Sequence, residues 1–183
     1  MAFSWNRFRV RAAWLLVVPY FWFARPTPAG LALGASLAVV GLWIRAWAAG
    51  TIHKNEELTT SGPYALTRNP LYLGSFLVGC GVAAAGGHWV FPLLFVALFG
   101  VVYRRVIAIE TRNLIELFPE QYARYAAAVP IFLPRVTPYR GSESDPVDAR
   151  RFGWPQYLHN REWEAALGVV AAFALLTVKA TLL

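Results

Sequence analysis

The sequence predicts an all-α fold, a polytopic membrane helix bundle with about five transmembrane helices. Three observations lead there. Of the 183 residues, 57% are hydrophobic and only 15% charged, against about 45–50% apolar and about 25% charged in soluble domains. Five apolar runs stand apart along the chain, to be set against the roughly 20 apolar residues that one helical crossing needs. All but two of the 17 Lys and Arg residues fall on one set of flanks of those runs.

The first span is Ala12–Ala24, extended by Phe8 and Val10. Its basic lead-in resembles a signal peptide. Tyr20, Phe21, Trp22 and Phe23 crowd the place where small cleavage-site residues would stand, so we read it as a helix. The second span is Ala29–Ala49 and the third Pro70–Ala85, short enough to be tilted or sheltered by its neighbours. The fourth is Trp89–Ile109 and the fifth Trp163–Leu183. "RPTP" (25–28) and "GGH" (86–88) are tight turns, whereas the connectors 50–69 and 110–161 are long. Long connectors in a compact protein tend to carry function or to be disordered.

Arg25 and Lys179 are the two basic residues on the other side. The positive-inside rule then puts the N-terminus in the cytoplasm and the C-terminus outside. Every acidic residue, from Glu56 to Glu164, lies on the cytoplasmic side as well. The net charge of +7 reads as a topology signal and an attraction to anionic headgroups. It is spread along membrane flanks, which speaks against nucleic acid as a partner. Cys80 is alone and mid-span, and His53, His88 and His159 share no ligand spacing, so we expect neither disulfides nor a metal site. There is no glycine-rich nucleotide loop and no internal repeat.

Chemistry concentrates in "SGPYALTRNPLY", 61–72. Gly62–Pro63 marks a turn. Tyr64 follows at a membrane boundary, where an interfacial aromatic anchor is the plain reading. Asn69 and Pro70 suit the N-cap and first position of a helix, so the third span starts here. Its free N–H groups beside Arg68 suit an anion; a snorkelling arginine is the plainer reading. Tyr103, Ile107, Glu110, Leu114 and Leu117 form one stripe on a helix. Glu110 interrupts it at the inner end of the fourth span, where ionisable groups are functional candidates; pairing with Arg104, Arg105 or Arg112 is the structural alternative. In 117–135, Pro119 is expected to end one helix and open another. Tyr122, Tyr125 and Ala126 share one face of that helix, and Pro130 and Pro134 end it. A helix lying on the inner leaflet is the plain reading.

"GPYALTRNPLY", "ETRNLIELFPEQYARY" and "VPIFLP" together resemble the isoprenylcysteine carboxyl methyltransferase and phospholipid methyltransferase family of integral membrane enzymes, in its bacterial form. Matches fall on Gly62, Pro63, Tyr64, Arg68, Asn69, Pro70 and Tyr72, then on Glu110, Leu114, Phe118, Tyr122, Tyr125, Val129, Pro130 and Pro134. They cover Arg45 to Arg135, roughly half the chain. The resemblance implies S-adenosylmethionine as methyl donor, in a cofactor pocket facing the cytoplasm. It implies cofactor contacts at Glu56, Glu57, Leu58, Thr59, Tyr64, Asn69, Pro70, Leu71, Tyr72 and Glu110, with Arg68 and Glu110 as the reactive centre. Arg105, Arg112, Tyr122 and Tyr125 are candidates for the acceptor. The charges agree: an arginine for the donor's carboxylate, a carboxylate for its ammonium, and tyrosine faces for a sulfonium.

The chain then reads as one membrane domain, 1–183. Residues 1–49 hold two spans, 50–135 the methyltransferase core, 136–160 an irregular cytoplasmic connector and 161–183 the last span. Arg150, Arg151 and Trp154 of that connector are placed at headgroups, and His53 and Lys54 at an exposed flank. Three positions depart from the family pattern. Asn69 stands for a histidine, Thr111 for a second glutamate, and Ile131 for an arginine; Val106 stands where prenylcysteine enzymes carry a substrate arginine. A membrane methyltransferase with a lipidic or small hydrophobic acceptor is the main reading, with membrane lipids as partners and a bacterial inner membrane as location. An NADPH-dependent membrane reductase related to sterol reductases and a non-enzymatic lipid-binding protein are the alternatives.

Overall fold

The computed structural model describes residues 17–53, 57–141 and 152–182. Among these, every regular element is helical. α1 covers residues 17–23. It is followed by α2 (Pro28–Thr51), a single 3-10 turn (Gly62–Ala65), α3 (Pro70–Ala85), α4 (Val90–Leu117), α5 (Pro119–Ala128), α6 (Trp154–His159) and α7 (Trp163–Leu182). α2, α4 and α7 are long and apolar enough to cross a membrane. α3 has 16 residues, about 24 Å of helix against about 30 Å of hydrocarbon. Of the expected first span, Ala12–Ala24, residues 17–24 are described and 17–23 are helical, whereas 12–16 lie outside the described residues.

The apolar surface faces outward. Val101 on α4 and Val170 on α7 are 63% and 64% exposed, as are many of their apolar neighbours. Such a band belongs in hydrocarbon, where a helix satisfies its own backbone. The chain is an integral membrane protein.

α2 and α3 supply the tightest contact. A Cβ on Gly34 would lie 2.4 Å from the Gly81 carbonyl oxygen, and one on Gly41 2.6 Å from that of Gly74. Within each helix the two glycines are two turns apart, so one antiparallel face is bare at both crossings. Backbones then touch, which is how helices pack where no hydrophobic force favours association. α4 joins through rings: Phe95 fills the space over Gly79, and Phe76 packs edge-on to Phe99 with centroids 5.1 Å apart.

The two basic residues set apart by the charge pattern meet at one end of the bundle. Lys179 Nζ donates to the carbonyls of Phe21 and Trp22 at 2.6 and 2.8 Å, satisfying the end of α1. The backbone N–H of Arg25 donates to the Gly86 carbonyl at 2.8 Å, in the turn before α4.

At the opposite end the segment expected to be irregular contains α6, which corrects that expectation. α6 closes the C-terminus of α2, where helical carbonyls lack partners. Gln156 Nε2 donates to the Ile52 carbonyl at 2.7 Å, Asn160 Nδ2 to that of Ala49 at 2.8 Å, and Gly153 N–H to that of Gly50 at 2.9 Å. The Phe152 ring occupies the space above Gly50. Trp154 is 67% exposed on the far side; Arg150 and Arg151 lie outside the described residues.

Gly41→Val and Gly81→Val should each destabilise the protein by about 1–3 kcal/mol, the usual cost of overpacking. Gly168→Ala, which meets nothing within 4 Å, should change little. Thermal unfolding in detergent checks the contrast.

Candidate functional site

The connector between α2 and α3 is held by a strap from later in the chain. Gly62 turns it at φ 56°, a left-handed conformation that favours glycine. The next residues are bonded in sequence. Tyr64 O accepts from Tyr125 Oη at 2.7 Å, Ala65 O from Tyr139 N at 2.9 Å, and Leu66 O from Arg135 N at 2.9 Å. Thr67 Oγ1 donates to Phe132 O at 2.8 Å, Arg68 N to Pro130 O at 2.9 Å, and Asn69 Nδ2 to Ile131 O at 2.8 Å. Pro130 breaks α5 into the extended strap, and the connector accepts its bonds because Pro63 and Gly62 keep it out of a long helix.

α3 starts at Pro70, as the spacing predicts, but not through an Asn69 side-chain cap. The Asn69 amide is used on Ile131 instead, so that part of the expectation is corrected. Thr67 Oγ1 takes the Asn69 N–H at 3.4 Å. Two departures from the family pattern, Asn69 and Ile131, therefore bond each other, with the Ile131 side chain exposed.

Arg68 and Glu110 bracket the start of α3 with opposite charges. Arg68 Nη1 donates to Tyr122 Oη at 3.0 Å, and the guanidinium lies 5.8 Å from that ring's centroid. Tyr122 Oη in turn meets Thr111 Oγ1 at 3.3 Å. Thr111 thus serves the arginine's support where the pattern has a carboxylate. Glu110 Oε1 accepts from Tyr72 Oη at 2.6 Å, a bond across α3 and α4. Behind it, Tyr72 packs edge-on to Tyr103 at 5.0 Å, and Tyr103 stacks on Phe99 at 3.9 Å.

Among the described residues, the buried Thr59 Oγ1, Tyr64 Oη and Arg68 Nε of this connector have no hydrogen-bond partner. Native proteins rarely leave such groups unsatisfied, and a ligand is one reason they do. Burial pushes the Tyr64 phenol well above its ordinary value, and the charges of Tyr125, Glu110, Tyr72 and Glu162 add to the effect. Burial also raises Tyr125, with Arg68 opposing.

The fold gathers most of the candidates. Tyr64, Thr59 and Pro70 are buried, and Leu58 packs on the cluster of Tyr122, Tyr125 and Val129. That cluster makes α5 part of the protein core and not a helix resting on a leaflet. Tyr64 at 6% exposure is likewise no interfacial anchor. Glu57, Leu71 and Tyr72 are half-buried; Glu56 lies outside the described residues, as does Lys54. Arg105 and Arg112 are exposed along α4. Tyr125 spends its hydroxyl on the Tyr64 carbonyl. Sequence reasoning missed Thr67, and it missed an ion pair between Arg45 and Glu162. The one available signal was an arginine inside the apolar run of α2. Among the described residues, no group of three or more His, Cys, Asp or Glu is placed to hold a metal ion.

A helical membrane bundle with a charged, tyrosine-walled site at one end is the class of protein defined here. The phospholipid methyltransferase family pattern matches residues 29–121. The chain is 37% identical over 139 residues to the cobalt-zinc-cadmium resistance protein CzcN of Cupriavidus metallidurans, covering 75% of this chain and 62% of that one. It is 36% identical to the nickel-cobalt-cadmium resistance protein NccN of Alcaligenes xylosoxydans xylosoxydans, over 61% and 51% of the two chains. It is 31% identical to the protein-S-isoprenylcysteine O-methyltransferase of Schizosaccharomyces pombe, over 46% and 36%. These matches span between about a third and two thirds of each relative's length. No solved structure matches. The chain belongs to the phospholipid methyltransferase family.

The raised phenols set an alkaline limit. Below pH about 10 Tyr64 is protonated in both states. Above it the unfolded chain loses the proton and the folded one keeps it, so stability falls as pH rises. Thermal unfolding between pH 8 and 11 should show this loss, and Tyr64→Phe should make it shallower.

Proposed function

We propose that the protein is an S-adenosylmethionine-dependent methyltransferase that transfers a methyl group to a lipidic or small hydrophobic acceptor at the cytoplasmic face of a bacterial inner membrane. The observation that carries this is the presence near the start of α3 of both Arg68, whose buried Nε has no partner among the described residues, and a Glu110 held by Tyr72. A zwitterionic amino-acid tail needs one group of each charge, and the family match covers both residues. The connector's charge segregation supports a cytoplasmic N-terminus and site.

The residues present fit the donor. Arg68 presents Nε to a carboxylate, and Glu110 has lone pairs left for an ammonium after one bond from Tyr72. The faces of Tyr64 and Tyr72 suit a sulfonium. When bound, S-adenosylmethionine would supply an activated methyl group for in-line displacement. The chain's contribution is to orient the two reactants and exclude water, which by itself can lower a barrier by about 7–11 kcal/mol. The strap holds the α3 start rigid for that purpose. Phe132 of the strap packs with Phe76 and Phe99, an apolar cluster suited to a hydrophobic acceptor. Ile131 and Val106 leave no cation where the resemblance puts one for a prenylcysteine carboxylate, so we favour a different acceptor.

Calorimetry on the purified protein should give micromolar binding of S-adenosylhomocysteine. Glu110→Ala and Tyr64→Ala should each abolish it. No binding by the wild type would refute the reading, and binding of NADPH in its place would support the reductase.

A further inference from the structure

Arg45 sits near the end of α2, and its stem crosses α3 where Gly74 has no side chain. A Cβ there would lie 2.5 Å from Arg45 Cγ. The guanidinium then serves two elements. Nη1 donates to the Leu71 carbonyl at 3.4 Å and to Ser75 Oγ, both in the first turns of α3. Nε and Nη2 both reach Glu162 Oε1 at 2.5 Å. Leu71 and Ser75 flank Tyr72, whose hydroxyl holds Glu110. Contacts therefore run without a gap from Glu162 through Arg45 and the start of α3 to Glu110.

The chain is bent to deliver Glu162. Arg161, immediately before it, has φ 53°, the one positive φ at a non-glycine among the described residues. Such conformations persist only where surrounding structure enforces them. Asn160, on the other side of Arg161, is bonded to α2. The pair is shielded, with side chains 22% and 10% exposed for Arg45 and Glu162. A shielded ion pair contributes little net stability, and its best-attested use is to fix a geometry. Glu162 also lies outside residues 29–121, so the family pattern does not supply it. Its charge reaches the site: it acts on the Tyr64 hydroxyl together with Glu110.

We propose that Glu162, through Arg45, is a positioning residue that sets the first turn of α3, and with it Tyr72 and Glu110, to take the amino-acid end of the methyl donor. This rests on the methyl-donor reading above. It makes the segment leading into α7 part of the site, through the contacts that run from Glu162 by way of Arg45 and the first turns of α3 to Tyr72 and Glu110.

Two ligands separate positioning from general support. S-adenosylhomocysteine carries the amino-acid tail; 5′-methylthioadenosine lacks it. Calorimetry on the detergent-solubilised full chain should show Glu162→Gln weakening S-adenosylhomocysteine at least tenfold, with 5′-methylthioadenosine within twofold of wild type. Glu162→Asp should recover part of the loss. Adding Glu162→Gln to Arg45→Gln should weaken binding no further than Arg45→Gln alone. Equal weakening of both ligands, or of neither, overturns the proposal. If Glu162→Gln does not fold, Glu162→Asp and Arg45→Lys take its place: selective weakening of S-adenosylhomocysteine supports the proposal, and equal weakening of both ligands, or of neither, overturns it. Failure of the wild type to bind S-adenosylhomocysteine overturns the methyl-donor reading itself, and this proposal with it.

Discussion

The strap between residues 125–139 and residues 64–69 is the constraint on which the site depends. Six consecutive residues of the connector each make a hydrogen bond to it. Irregular backbone near a membrane must find partners inside the protein or in water. Here it finds them in one place, and the result is a fixed start for α3. Arg68 gains Tyr122 because the strap carries α5 against the connector. Tyr72 and Glu110 meet because α3 and α4 enter that end in a set register. The glycine contact with α2 fixes α3 laterally, so both ends of the helix's placement are determined.

The molecule divides its chemistry by position. Apolar side chains on α4 and α7 face outward, and polar groups gather at the site end. Lys179 and Arg25 hold the other end by closing backbone carbonyls and a turn. α6 does the same for α2 with two amide side chains. Backbone groups released at helix ends are thus met by side chains from distant parts of the sequence, which joins the C-terminal segment to the core.

Much of the helical plan was legible in the sequence. Proline at 70 and 119 marks helix starts for a local reason, the missing N–H and fixed φ. The spacing of three and four from Tyr122 to Tyr125 and Ala126 marks a shared face because it is a property of helix geometry. The clustering of Arg68, Tyr72 and Glu110 was accessible only through the family resemblance, since no local rule links residues on different helices. Other features were out of reach. An Asn before a helix has a good local cap available, and only the strap's position diverts Asn69 to Ile131. Arg45 and Glu162 are 117 positions apart, and a lone arginine in an apolar run does not name its partner. The α6 turn is too short for a periodic signal, and its place is set by the open carbonyls of α2.

The central claim is that this end of the bundle transfers a methyl group. Membranes containing the wild-type protein, incubated with S-adenosylmethionine labelled on its methyl group, should place label in an organic extract of membrane lipids or small hydrophobic molecules. Membranes with Glu110→Ala should not. Label absent from the wild-type extract, or equal in both, would contradict the account.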